Sequence, residues 1–174
     1  MLLKNAKTLT IRKAKKEDAR EILDYLKKVG GESDNLLMGA EGLPYTVEQE
    51  EEIIESRSNS TSSALLVGVV DDRIICVGSL SSPNRERIAH QGTVGISVLK
   101  EFWGVGVGTR MMNALIDFAK ASGTIEILHL GVKSDNLGGI ALYKKCGFQQ
   151  IGVYPKFFKF GDVYYDEILM NLYL

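Results

Sequence analysis

The chain has 174 residues, 45% apolar, 25% charged and 8% aromatic, with 21 basic and 22 acidic side chains and a formal net charge of −1. One globular domain over residues 1–174 is the expectation at this length, and this balance excludes a disordered chain. Two cysteines, no apolar run of 18 residues, a start that turns charged early and a sequence pI near 6.2 argue against a disulfide framework, a membrane span, a signal peptide and broad nucleic-acid binding; a cytoplasmic protein is expected.

Residues 9–12 alternate apolar and polar side chains and predict a short strand. Asp18 then opens a helix whose Ile22, Leu23, Leu26 and Val29 recur at helical spacing, stopped by Gly30-Gly31. The stretch 31–45, punctuated by Gly39, Gly42 and Pro44, reads as a loop. Thr46-Val47-Glu48-Gln49 has the form of a capping box and starts a second helix to about Arg57. A polar loop leads to strands over 64–70 and 74–80, joined as a hairpin through Asp71-Asp72-Arg73. Residues 90–99 form a further strand, followed by a glycine cluster. The clearest helix comes next, with Val107, Met111, Leu115, Phe118, Ala119 and Ser122 on one face. A strand over 125–132, a short helix over 137–146 stopped by Gly147, and strands near 148–154 and 163–172 close the chain. This order predicts an α/β (α+β) fold with helices packed on the faces of a mixed sheet.

Charge is uneven. Residues 1–28 carry nine basic and four acidic side chains, whereas residues 29–56 carry eight acids and no base. That acidic block is either a solvated helix face or a negative rim that attracts a cationic substrate. Gly104, Gly106 and Gly108 lie between a strand and a helix start. There, glycine lets a ligand approach backbone amides closely, and the free N–H groups of the helix start attract phosphate. The alternative is a purely structural turn. The P-loop pattern fails for want of its lysine, and the dinucleotide fingerprint fails because the third glycine comes one residue early.

The run from Val98 through Trp103-Gly104-Val105-Gly106-Val107-Gly108 resembles the acetyl-CoA pyrophosphate loop of the GNAT superfamily of N-acetyltransferases, which reads Q/R-x-x-G-x-G/A after the fourth strand. Asn136, Leu142-Tyr143 and Gly147-Phe148 stand in that family's register. The opening Ile11-Arg12-Lys13-Ala14 with Glu17-Asp18 resembles the family's start. The ending Gly161-Asp162-Val163-Tyr164-Tyr165-Asp166-Glu167, with Met170, is similar to the tail of its small-molecule members. The likeness covers nearly the whole chain. Trp103 departs from it, standing where the family has Gln or Arg, so weaker or differently packed cofactor binding is expected.

The resemblance implies a mostly antiparallel sheet splayed between the fourth and fifth strands, and acetyl-CoA-dependent transfer of an acetyl group to a primary amine of a small molecule by direct attack. It places the cofactor's pantetheine arm along Ile96, Ser97 and Val98, with a main-chain N–H near Val98 facing the thioester oxygen. The pyrophosphate would lie on the amides of Gly104, Val105, Gly106, Val107, Gly108 and Thr109. Tyr143 is the candidate general acid, since a phenol of pKa about 10 stays protonated at neutral pH; it is otherwise an aromatic core residue. Asn136 would bond the cofactor arm, cap the helix, or do both. No general base is named: His90, and Glu32 or Glu41 through water, remain open, while His129 reads as a sheet residue and Cys146 as packing. Glu32, Asp34 and Glu41, in the loop after the first helix, are candidates for binding the acceptor. No metal site is expected, and the aromatic tail (Tyr154, Phe157, Phe158, Phe160, Tyr164, Tyr165) would supply a homodimer contact. Other readings are a catalytically inactive acyl-CoA-binding module and a protein N-terminal or lysine acetyltransferase.

Overall fold

The computed structural model describes residues 2–3 and 7–174; residue 1 and residues 4–6, part of the charged start, lie outside the described residues. Among the described residues, seven strands form one sheet: β1 (Thr10–Lys13), β2 (Ala64–Val70), β3 (Arg73–Ser81), β4 (Gln91–Val98), β5 (Ile127–Lys133), β6 (Gln149–Phe160) and β7 (Val163–Tyr173). Their spatial order is β1-β2-β3-β4-β5-β7-β6, antiparallel at every junction except the parallel β4–β5 pair. Helices α1 (Ala19–Gly30), α2 (Val47–Ser58), α3 (Val107–Ala121) and α4 (Leu137–Lys145) cover it. This is the mixed α/β fold that the element order implies. Among the described residues no helix is long and apolar enough to cross a membrane.

Local chemistry explains the joints. Arg12 on β1 donates to both Asp18 oxygens, at 2.6 and 2.9 Å, and the Lys15 N–H donates to the same carboxylate at 2.7 Å. These bonds hold the Asp18 carboxyl below its ordinary range against the opposing effect of burial. The helix begins one residue later than the sequence suggests, because residues 16–18 form a 3₁₀ turn. Thr46 and Gln49 make the reciprocal capping box: Thr46 Oγ1 accepts from the Gln49 N–H and Gln49 Oε1 from the Thr46 N–H. Asp71 and Asp72 both have positive φ (50° and 57°), the geometry of a tight two-residue hairpin turn.

Helix α3 buries Val107, Met111, Met112, Leu115, Ile116 and Ala119. Met111 lies where a Cβ at Gly78 would stand, 2.6 Å from its sulfur, so this glycine lets α3 sit down on the sheet. One expectation needs correction: the sixth strand runs on to Phe160, not to 154. Pro155 reads as a break, yet the strand absorbs it in a bulge between Tyr154 and Phe158, with Lys156 at φ 55° and its N–H donating to Asp166 Oδ1 at 2.8 Å.

Candidate active site

The glycine loop leaves its backbone amides uncovered. Gly104 (φ 74°) and Gly106 (φ 101°) take left-handed conformations, and a Cβ at either would meet nothing within 4 Å. Gly108 has a different task. A Cβ there would lie 2.5 Å from Leu142 Cδ1, so its absence lets the start of α3 close on α4. No amide N–H from Gly104 to Thr109 has a protein acceptor among the described residues; the next, of Arg110, donates to the Gly106 carbonyl at 3.2 Å. Six consecutive donors therefore crown the positive end of α3, whose first turn carries no acid. Such a cradle fits a pyrophosphate.

Beside it the sheet opens. Strands β4 and β5 pair only at Gln91/Ile127, Gly92/Leu128 and Thr93/His129, then part. His90 O accepts from Ile127 N–H, whereas Leu99 N–H donates to Ile75 O on β3. By strand alternation, the even-numbered residues of β4 face β5; the Thr93/His129 pair uses the Val94 N–H, and the main-chain N–H groups of Ile96 and Val98 beyond it point into the opening. Two of the three expected strand residues, Ile96 and Val98, thus face the split. Ser97 is placed otherwise: it pairs with Val77, and its Oγ is 2.9 Å from the Tyr25 hydroxyl, which donates to it. Trp103 supplies a bond that the loop pattern gives no hint of, its indole N–H donating to the Val98 carbonyl at 2.7 Å.

The motif from Asn136 to Phe148 is one capped helix. Asn136 Oδ1 accepts from the Gly139 N–H at 2.9 Å, so Asn136 is the N-cap of α4. Gly147 (φ 95°) ends the helix, and the Phe148 N–H returns to the Tyr143 carbonyl at 3.0 Å. Tyr143 is buried, edge-on to Phe148 at 6.1 Å between ring centres. Its hydroxyl has no hydrogen-bond partner among the described residues, and burial pushes the phenol up to about 12. It keeps its proton at neutral pH and has that proton free to give.

The third region is the sheet face on the Tyr25 side. Thr93, Gly95 and Ser97 alternate along β4, and His129, Gly131 and Lys133 along β5. At the apex of the split, Thr93 Oγ1 and His129 Nε2 are 2.9 Å apart, and burial lowers the imidazole pKa. On the β5 arm, the Glu167 side chain of β7 occupies the space that a Cβ of Gly131 would need. Glu167 has no hydrogen bond or ion pair among the described residues. Lys133, in register with Glu167, is 5% exposed; its ammonium bonds Asp135 Oδ2 at 2.7 Å and lies over the Tyr165 ring at 3.6 Å.

The acidic block is largely spoken for. Glu32 Oε2 accepts from the Lys100 N–H at 2.7 Å, clamping the turn that leads into the glycine loop. Glu41 Oε1 accepts from the Gly39 N–H at 2.8 Å within its own loop, and Glu51 and Glu55 pair with Lys16. Glu50 is not helix surface: it is 4% exposed, and burial raises its carboxyl. Asp34 alone of the three acceptor candidates is without a partner among the described residues. Two concavities beside α2 include no residue of the glycine loop in their lining, nor Ile96 or Val98 of the split.

Residues 34–148 match the acetyltransferase (GNAT) family. The fold is similar to that of an acetyltransferase of the GNAT family from Streptococcus pneumoniae, with TM-score 0.94, 27% identity, and coverage of 96% of this chain and 100% of that one. A GNAT superfamily phosphinothricin acetyltransferase from Sinorhizobium meliloti, solved with acetyl-CoA, shares the fold at TM-score 0.79 and 20% identity over 96% of this chain and 89% of its own. The N-alpha-acetyltransferase RimI of Mycobacterium tuberculosis is 31% identical over 67 residues, 38% of this chain and 39% of RimI. Among three curated relatives that it matches, the chain spans only 16% to 44% of their length. The match over residues 34–148 takes in the glycine loop, the split, Asn136 and Tyr143, and the chain belongs to the acetyltransferase (GNAT) family.

Proposed function

We propose that the protein is an acetyl-CoA-dependent N-acetyltransferase that acts by direct attack of a primary amine in a ternary complex, the acceptor being a small molecule. The observation that carries this reading is the run of six unpartnered amides, Gly104 to Thr109, beside main-chain groups of β4 that the split leaves unpaired. When bound, acetyl-CoA supplies an activated acetyl thioester. The loop amides would hold its pyrophosphate, and the N–H groups of Ile96 and Val98 are the donors available to a thioester oxygen in the split. Tyr143 Oη holds a proton that a departing thiolate can take. Trp103 would position the loop through Val98 instead of touching the pyrophosphate with a charged or amide group.

The free thiols of Cys76 and Cys146 suit a cytoplasmic setting. The exposed aromatics Tyr154, Phe157, Phe160 and Tyr164 on the β6–β7 hairpin would form a contact between two copies, which sedimentation tests. Transfer to a protein N-terminus is a second reading, favoured by the likeness to RimI and to the N-alpha-acetyltransferase of Sulfurisphaera tokodaii, which is 32% identical over 77 residues. Thiol release from acetyl-CoA over a panel of small amines and peptides separates the two. Small amines turning over faster than any peptide supports the proposal, and the reverse order supports the second reading.

A further inference from the structure

We propose that Glu167 is the base that takes the proton from the acceptor's ammonium, and that Gly131 is glycine so that this carboxylate reaches the split. The inference rests on the N-acetyltransferase reading and supplies the base that no residue of the glycine loop or of α4 offers. On the Tyr25 side, the two arms of the split present Gly95 and Gly131, which leave a floor without side chains. A Cβ at Gly95 has only Ser79 Oγ near it, at 3.6 Å, whereas one at Gly131 would collide with the Glu167 carboxylate. Glu167 therefore lies across β5 with its oxygens against the Gly131 backbone, at the strand that borders the opening.

Its charged surroundings leave it available. Across β5, Lys133 is committed to Asp135 and to the Tyr165 ring, and His129 is tied to Thr93. On β6 the residue in register is Tyr154, and on β7 the neighbour on the same face is Tyr165. Burial raises the Glu167 carboxyl from its ordinary value, the direction that makes a carboxylate a better proton acceptor. The step balances. The ammonium gives one proton to Glu167, which passes it to water. The amine lone pair forms the C–N bond as the C–S bond breaks with its electron pair on sulfur. The second nitrogen proton goes to Glu167 and the Tyr143 Oη proton to sulfur. Water carries the second proton from Glu167 to the Tyr143 oxyanion, restoring both groups, and the sum is one amide, one thiol and one released proton.

The test joins titration with kinetics. In the wild-type protein without cofactor, the Glu167 carboxyl carbon, followed by NMR, should titrate above its ordinary value and shift when propylamine is added. An ordinary titration with no response to propylamine overturns the proposal, whatever the enzyme does. Glu167→Gln should bind acetyl-CoA as the parent does but lose ~10²–10⁴-fold in kcat/KM at neutral pH. It should also lose the acid limb of the pH profile, its deficit shrinking as the pH nears the amine's own pKa. Glu167→Asp should restore part of the rate and the limb. Glu167→Gln turning over within threefold of an active parent rejects Glu167 while leaving the transferase intact; failure of the parent to bind acetyl-CoA at all rejects the underlying reading instead.

Discussion

The indole N–H of Trp103 donates to the carbonyl of Val98 at 2.7 Å, tying the first residue of the glycine loop to the last residue of β4. The bond sets the distance between the amide cradle and the split. It also explains how the loop is held with Trp in place of the Gln or Arg that the loop pattern leads one to expect. Trp103→Phe keeps the ring and removes the donor. A neutral bond of this kind contributes ~0.5–1.5 kcal/mol, so the Kd for acetyl-CoA should rise about 2- to 10-fold. Trp103 is the chain's only tryptophan, and its fluorescence should change when acetyl-CoA binds the parent. Calorimetry on the variant checks the first point, and a titration of the parent the second.

The loop glycines should respond in different ways. Gly106→Val finds open space but must hold a left-handed φ of 101°. That strain, together with a side chain over the amides, should weaken acetyl-CoA at least tenfold, about 1.4 kcal/mol. Gly108→Ala instead puts a methyl 2.5 Å from Leu142 Cδ1, the end of a side chain that can turn aside, and should change stability by no more than ~1 kcal/mol while leaving acetyl-CoA affinity close to the parent's. Thermal unfolding and calorimetry on both variants separate strain at the cradle from overpacking behind it.

Much of this was legible locally, because its causes are local. The Thr46–Gln49 box, the Asp71-Asp72 turn and the Gly147 stop each depend on neighbours within a few residues. The extension of β6 past Pro155 depends on β7, which pairs with Phe158 and Phe160 across the bulge, and a proline reads as a break until that partner is in place. The same holds for side chains. Glu32 looks like a free acid in a loop but caps an amide 68 residues away, and Glu167 acquires its place only when β7 is laid against Gly131 of β5. Register carries that information, and composition does not.

Tyr143→Phe removes the proton donor and little else, since the hydroxyl bonds nothing among the described residues. Turnover should fall ~10²–10⁴-fold, with acetyl-CoA affinity and melting temperature nearly unchanged. Burial holds the parent phenol at about 12, so no loss of rate from its ionisation should appear below pH 10. Steady-state kinetics across pH with the best acceptor check both statements.

Acid stability should depend on Asp18. Its carboxyl is held below the ordinary value of about 3.9 by the bidentate Arg12 bond. A group depressed in the folded state adds stability above its unfolded pKa, and that stability is lost as the pH falls through the folded value. Asp18→Asn should therefore cost ~1–3 kcal/mol at pH 7, and the gap to the parent should narrow below about pH 4. Urea unfolding at pH 7 and pH 3 measures it, and a gap that widens in acid would contradict the assignment.

The N-acetyltransferase reading is tested most directly by thiol release from acetyl-CoA with a panel of primary amines, run on the parent and on Gly106→Val. The parent should release thiol only when an amine is present and yield the acetylated amine in equal amount. Gly106→Val should need at least tenfold more acetyl-CoA for the same rate. A parent that binds acetyl-CoA but releases no thiol with any amine or peptide would contradict the reading, as would a Gly106→Val variant saturating at the parent's acetyl-CoA concentration.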